Sequence, residues 1–152
     1  MKNAVVIDPG THTGYAIVVG GSVISTWSHA HQSTISILAS LESLYSEFDI
    51  HHLVIEDQFL GMSVKSMLNT RDKAMRWVAM AESLCWETEW LHPSTWQAQC
   101  GLASRQCKLK GAKHKRHIRR IASGLAGRDL GRDECDAYMM ALYWIGRQKL
   151  GV

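Results

Sequence analysis

Residues 5–19, VVIDPGTHTGYAIVV, constrain this chain more than any other stretch. Val5, Val6 and Ile7 form a short apolar run that ends on a carboxylate, Asp8. Pro9 and Gly10 break the run, and Gly14 opens a second one from Tyr15 to Val19. Apolar runs on both sides of a Gly/Pro break predict two strands of one hairpin. Val5–Ile7 lacks polar alternation, which suits a central strand covered on both faces. An ionised Asp at the inner end of such a strand loses hydration and needs a compensating partner. A turn cap is the plain reading of an Asp before Pro-Gly, so the other acids must decide.

They fall at the ends of further elements. Gly20 and Gly21 mark a tight turn into a third strand, Ser22 to about His29, followed by a helix with Ile35, Leu38, Leu41, Tyr45 and Phe48 as its apolar stripe and Ser33 or Thr34 as its cap. Leu53, Val54 and Ile55 form a fourth strand ending on Glu56 and Asp57. A long helix is expected over about 63–85, a fifth strand over Glu87–Leu91, and a short helix after His92-Pro93 carrying Trp96. A basic helix from about Lys113 to Ser123 follows, then a loose Gly124–Gly131 connection. The last helix runs from about Asp133 to Gln148, with Ala137, Met140, Ala141, Trp144 and Ile145 buried. This order predicts an α/β fold, a mixed five-stranded sheet with helices on both faces, formed by a single domain over 1–152. A right-handed crossover places the fourth strand parallel to the first and beside it. Asp8 and Glu56 then meet at neighbouring carboxyl ends, and Asp133 and Asp136 share the first turn of the last helix.

Each acid alone has an ordinary explanation, as turn cap, strand-end charge or helix cap. Four converging carboxylates instead call for hard divalent cations with oxygen ligands: Mg²⁺, with Mn²⁺ as a substitute. Two such ions, roughly 3.5–4 Å apart, can stabilise the attacking and leaving oxygens of a phosphoryl displacement. Asp57 is turned off that face by strand alternation.

The formal net charge is only +3, but Arg105–Arg120 holds eight of the 17 Lys and Arg and no acid. Such a run suits phosphate neutralisation on DNA better than a merely solvated face. Its candidate DNA contacts are Lys108, Lys110, Lys113, Lys115, Arg116 and Arg119. Cys100, Cys107, His114 and His117 are too loosely spaced for a zinc site. The scattered cysteines suit reduced thiols, and neither a signal peptide nor a membrane span is expected. The expected location is cytoplasmic, in a bacterial or phage-infected cell, without membrane association or a small-molecule cofactor. His29, His31, His51 and His52 read as surface or strand-end residues, and Phe59 and Trp96 as the aromatics placed to stack on bases.

IDPGTHTGYAIV, VIEDQF and DECDAYMMALYW, in this order and spacing, resemble the RuvC family of Holliday junction resolvases, within the RNase H-like nucleases. The resemblance spans nearly the whole chain. It implies a structure-selective, Mg²⁺-dependent endonuclease of DNA recombination and repair, acting as a homodimer on four-way junctions and leaving 5′-phosphates. It carries over Asp8, Glu56, Asp133 and Asp136 as catalytic, metal-binding carboxylates and Phe59 as a DNA-approaching aromatic. Met67, Ala74, Met75, Val78 and Ala81 fall on the family's dimerisation helix. The family's catalytic lysine falls on Lys115, with Lys113 the alternative; Gln97 stands near where bacterial members place a lysine. Three other readings stay open: a general RNase H-like or RNA-processing nuclease, a junction-binding protein without chemistry, and a relative of the sugar kinases, which share DPGTHTG-like loops but enclose ATP between two domains.

Overall fold

The computed structural model describes residues 1–30, 32–57 and 64–151. The strands are β1 (Ala4–Asp8), β2 (Thr13–Val19), β3 (Ser22–His29), β4 (His52–Glu56) and β5 (Glu87–Leu91), in the spatial order β3-β2-β1-β4-β5. β1 pairs antiparallel with β2 and parallel with β4, and β4 pairs parallel with β5. The mixed five-stranded sheet is therefore as the sequence predicts, including β4 beside β1.

Strand alternation divides the core between the two faces. Ala4, Val6, Ala16, Val18 and Val54 join one cluster with Trp96, Ile118, Met140 and Trp144. Val5, Ile7, Tyr15, Ile17, Leu53 and Ile55 join the other, with Ile37, Leu41, Ala74, Trp77 and Val78. The first face is covered by α3 (Pro93–Gln99), α5 (Gly111–Ala126) and α6 (Arg132–Leu150); the second by α1 (Thr34–Phe48) and α2 (Val64–Ser83). Gly20 and Gly21, at φ +58° and +77°, make the two-residue β2–β3 turn that needs positive φ twice.

Several local expectations are corrected. The buried face of α1 is Ile37, Leu41 and Leu44, whereas Ile35 is 82% and Tyr45 55% exposed. The expected cap is right: the Ser33 hydroxyl accepts from the Ser36 N–H. A one-turn helix, α4 (Ser104–Cys107), precedes α5. α5 itself extends through Gly124 to a left-handed Gly127, because Ile118 and Ala122 keep its inner face docked; Leu125 is exposed. His52 is a strand-end residue, the first of β4, as expected, but it lies buried between Glu87 and Glu89. Trp96 is fully buried, so it offers no face for base stacking. His31 and Phe59 lie outside the described residues.

Candidate active site

The site forms where two strands end and one helix begins. The parallel register Ile7↔Ile55 puts Asp8 and Glu56 side by side at the carboxyl ends of β1 and β4. Asp133 lies in the first turn of α6, where the helix dipole favours negative charge, and Asp136 follows it three residues on, on the same face. α6 reaches this point because Gly14, paired with Asp8 on β2, has no side chain to hold off the Asp133 main chain. Glu134 secures the same end, accepting from the Gly131 N–H (2.6 Å) and the Thr26 hydroxyl (2.9 Å).

Asp8, Glu56, Asp133 and Asp136 line one open cleft of about 940 Å³. Its walls are the Pro9–His12 loop, Ser66 and Thr70 of α2, and Lys115, Arg116 and Arg119 of α5. Burial, then the charges of Glu56 and Asp136, hold the Asp8 carboxyl well above the usual carboxylate range. Burial also raises Asp136; the Lys115 ammonium opposes that rise, Asp133 adds to it, and His114 and Arg132 oppose it. Among the described residues no three His, Cys, Asp or Glu side chains are gathered tightly enough to grip a metal ion. The acids thus interact across the cleft without forming a closed cage.

Trp96 Nε1 donates to Glu56 Oε1 at 2.9 Å. The Lys73 ammonium donates to the Gly10 carbonyl at 3.1 Å, tying α2 to the loop after Asp8. Lys108, Lys110 and Lys113 are exposed but do not line the cleft; Lys108 caps α4 in the left-handed conformation. Arg119 lines the cleft while its Nη2 donates to both carboxylate oxygens of Asp129. Asp57 faces Arg71 at 3.8 Å.

Sequence reasoning missed Arg132, His12, Ser66 and Thr70. Arg132 adjoins Asp133 in sequence, and Ser66 and Thr70 have the i, i+4 spacing of one helix face, so these three carry a readable signal; His12 carries only its place in the loop after Asp8. Trp96, expected to stack on bases, is instead buried and bonded to Glu56.

No protein-family model matches the chain, and no curated protein matches it by sequence. Solved structures do match. The RuvC of Thermus thermophilus in complex with a Holliday junction substrate superposes with a TM-score of 0.73 at 15% identity, covering 99% of this chain and 97% of that one. A second Thermus thermophilus RuvC structure gives 0.70 at 16% identity, over 98% and 96%. The yeast mitochondrial Holliday junction resolvase Ydc2 gives 0.58 at 13% identity, over 97% and 79%. This chain has the RuvC-type fold over nearly its whole length.

Proposed function

We propose that this protein is a structure-selective DNA endonuclease that resolves four-way junctions. The observation that carries the reading is the meeting of Asp8, Glu56, Asp133 and Asp136 in one cleft whose opposite wall is the basic α5. The likeness of its fold to proteins that bind or resolve such junctions supports the choice of substrate.

The donor set fits a hard divalent cation: the four acids offer only carboxylate oxygens, and burial, then the charges of Glu56 and Asp136, leave Asp8 reluctant to ionise without a positive charge nearby. Asp8, Glu56, Asp133 and Asp136 would hold Mg²⁺ or Mn²⁺, two ions in our reading. When bound, such ions would supply Lewis-acid stabilisation of charge developing on the phosphate and would make water a stronger nucleophile. The remaining work falls to the chain itself. Lys115, close enough to act on Asp136, is placed to offset charge developing on the scissile phosphate. Arg116 and Arg119 line the path of the backbone, and Lys108, Lys110 and Lys113 extend that basic face outward for phosphate contacts. In-line displacement of the 3′ oxygen leaves 5′-phosphate and 3′-hydroxyl ends.

A junction has two-fold symmetry, so paired cuts call for two sites. Val64, Leu68 and Met75 of α2 are exposed apolar residues and form the proposed homodimer contact. Ala74, Val78 and Ala81 pack inside the protomer and cannot contribute to it.

The test compares a four-way DNA junction, a linear duplex and an RNA–DNA hybrid with Mg²⁺. Symmetric, ligatable nicks in the junction support the proposal. Equal cutting of duplex, preference for the hybrid, or binding without cutting would overturn it.

A further inference from the structure

We propose that Trp96 is a positioning residue for Glu56, resting on the reading of Glu56 as a cation-holding carboxylate. Its indole is fully buried beneath the cleft, in the cluster that also contains Leu91, Leu102, Ile118 and Ala122. From there the Nε1–H reaches across 40 positions of sequence to Glu56 Oε1, at 2.9 Å.

Packing alone does not require this contact, because a phenyl ring fills most of such a pocket without bringing a polar atom into it. A buried indole N–H must find an acceptor, and this one finds a carboxylate that lines the cleft. The donor is neutral. It restricts the Glu56 side chain without adding a positive charge that would compete with a cation for the same oxygens. The molecule contains an informative contrast. At the far end of the sheet Trp144 Nε1 also donates to a carboxylate, Glu89, at 2.9 Å, but Arg147 shares that carboxylate at 2.6 Å and His52 lies 3.6 Å away. There the indole belongs to a neutralised ion cluster. At Glu56 it holds an acid that lines the cleft beside Asp8.

The position of Trp96 also joins Glu56 to the basic wall. The indole shares its buried cluster with Ile118 and Ala122 of α5. The chain leaving α3 returns the Leu102 N–H to the Gln97 carbonyl at 2.7 Å, and the Leu102 carbonyl meets the His114 ring at 2.5 Å, one residue before Lys115.

Partners that orient metal-holding side chains typically change cation affinity about 10–100-fold when lost. The experiment titrates Mn²⁺ into the protein alone by calorimetry, and separately measures junction binding in EDTA. Trp96→Phe should weaken Mn²⁺ about tenfold and leave EDTA junction binding within about twofold. Replacing Trp96 by benzothienylalanine, which keeps the indole's shape and puts sulfur in place of N–H, should reproduce the loss without a packing defect. This second variant decides the matter should Trp96→Phe fold poorly. Unchanged Mn²⁺ affinity in the benzothienylalanine protein would overturn the proposal. Because the titration needs no nucleic acid, it stands even if the protein cleaves no junction, so the two readings fail separately.

Discussion

Gly14 lies against the main chain of Asp133 so closely that a methyl group on it would sit 1.7 Å from the Asp133 carbonyl oxygen. Gly14 is also the antiparallel partner of Asp8. One missing side chain therefore lets Asp8 and Asp133 share a cleft. The contact is with backbone, which cannot rotate away.

Gly14→Ala must push α6 off β2 or bend the strand. Overpacking of this kind costs about 3 kcal/mol, which for a domain of this size corresponds to a melting temperature lower by about 6–12 °C. Cleavage should fall more than stability, since Asp133 and Asp136 move away from Asp8. A variant that melts like the wild type and cuts normally would show that the helix end yields freely.

Asp8→Asn should abolish cleavage and stabilise the protein without divalent ions. The folded state holds the Asp8 proton to a higher pH than the unfolded chain, whose value is near 3.8. Stability therefore falls as pH rises from 3.8 toward the raised folded value, and stays lowered above it. The mutant escapes that fall. In EDTA its melting temperature should exceed the wild type's by a few degrees near pH 7, and the difference should shrink near pH 4. An equal difference at both pH values would point to a change in packing.

Lys115→Ala should lower the cleavage rate about 10²-fold or more with little loss of junction affinity, as for a group that acts on developing charge. Lys108→Ala, outside the cleft, should weaken binding and flatten its salt dependence by about one unit of slope. Single-turnover rates and a salt series separate the two. Equal, small effects would make α5 and its approach a solvated surface.

Glu89→Gln should destabilise the fold without altering the cleft. His52, Trp144 and Arg147 hold the Glu89 carboxyl down to about 2, against partial burial that raises it. A depressed carboxyl contributes stability above its ordinary value of 4.5, and this is lost as pH falls toward 2. The wild-type advantage over Glu89→Gln should thus be full at neutral pH and fade on acidification, as thermal melts would show. Cleavage per folded molecule should be unchanged; a large fall would mean that the far end of the sheet communicates with the site.

Leu68→Glu places a charge in the apolar strip of α2, where Leu68 is 56% exposed in the protomer. Sedimentation should show monomers, and paired cutting of a cruciform plasmid should give way to single nicks. A dimer that survives the change would move the interface elsewhere.

The sequence by itself determined the order of the five strands and the longer helices, and the positions of the four acids at their ends. Both are local properties: a run such as Val5–Ile7 or Leu53–Ile55 forms a strand, Pro9 or a carboxylate ends it, and a buried central strand shows no alternation. Strand adjacency followed from the handedness of crossovers, which holds for nearly every fold of this kind. Where two local patterns overlapped, sequence could not choose. α1 carries two apolar stripes, and only packing on the second sheet face selected Ile37, Leu41 and Leu44 over Ile35 and Tyr45. Tertiary structure alone decided what Trp96, His52 and Gly14 do. An indole N–H, a buried imidazole and a missing Cβ each take their meaning from a partner distant in the chain: Glu56, Glu89 and Asp133. Periodicity shows that such a residue is apolar or small. Which acceptor it meets depends on how the sheet, α3 and α6 pack together, because a hydrogen bond or close contact is set by distances that no local pattern contains.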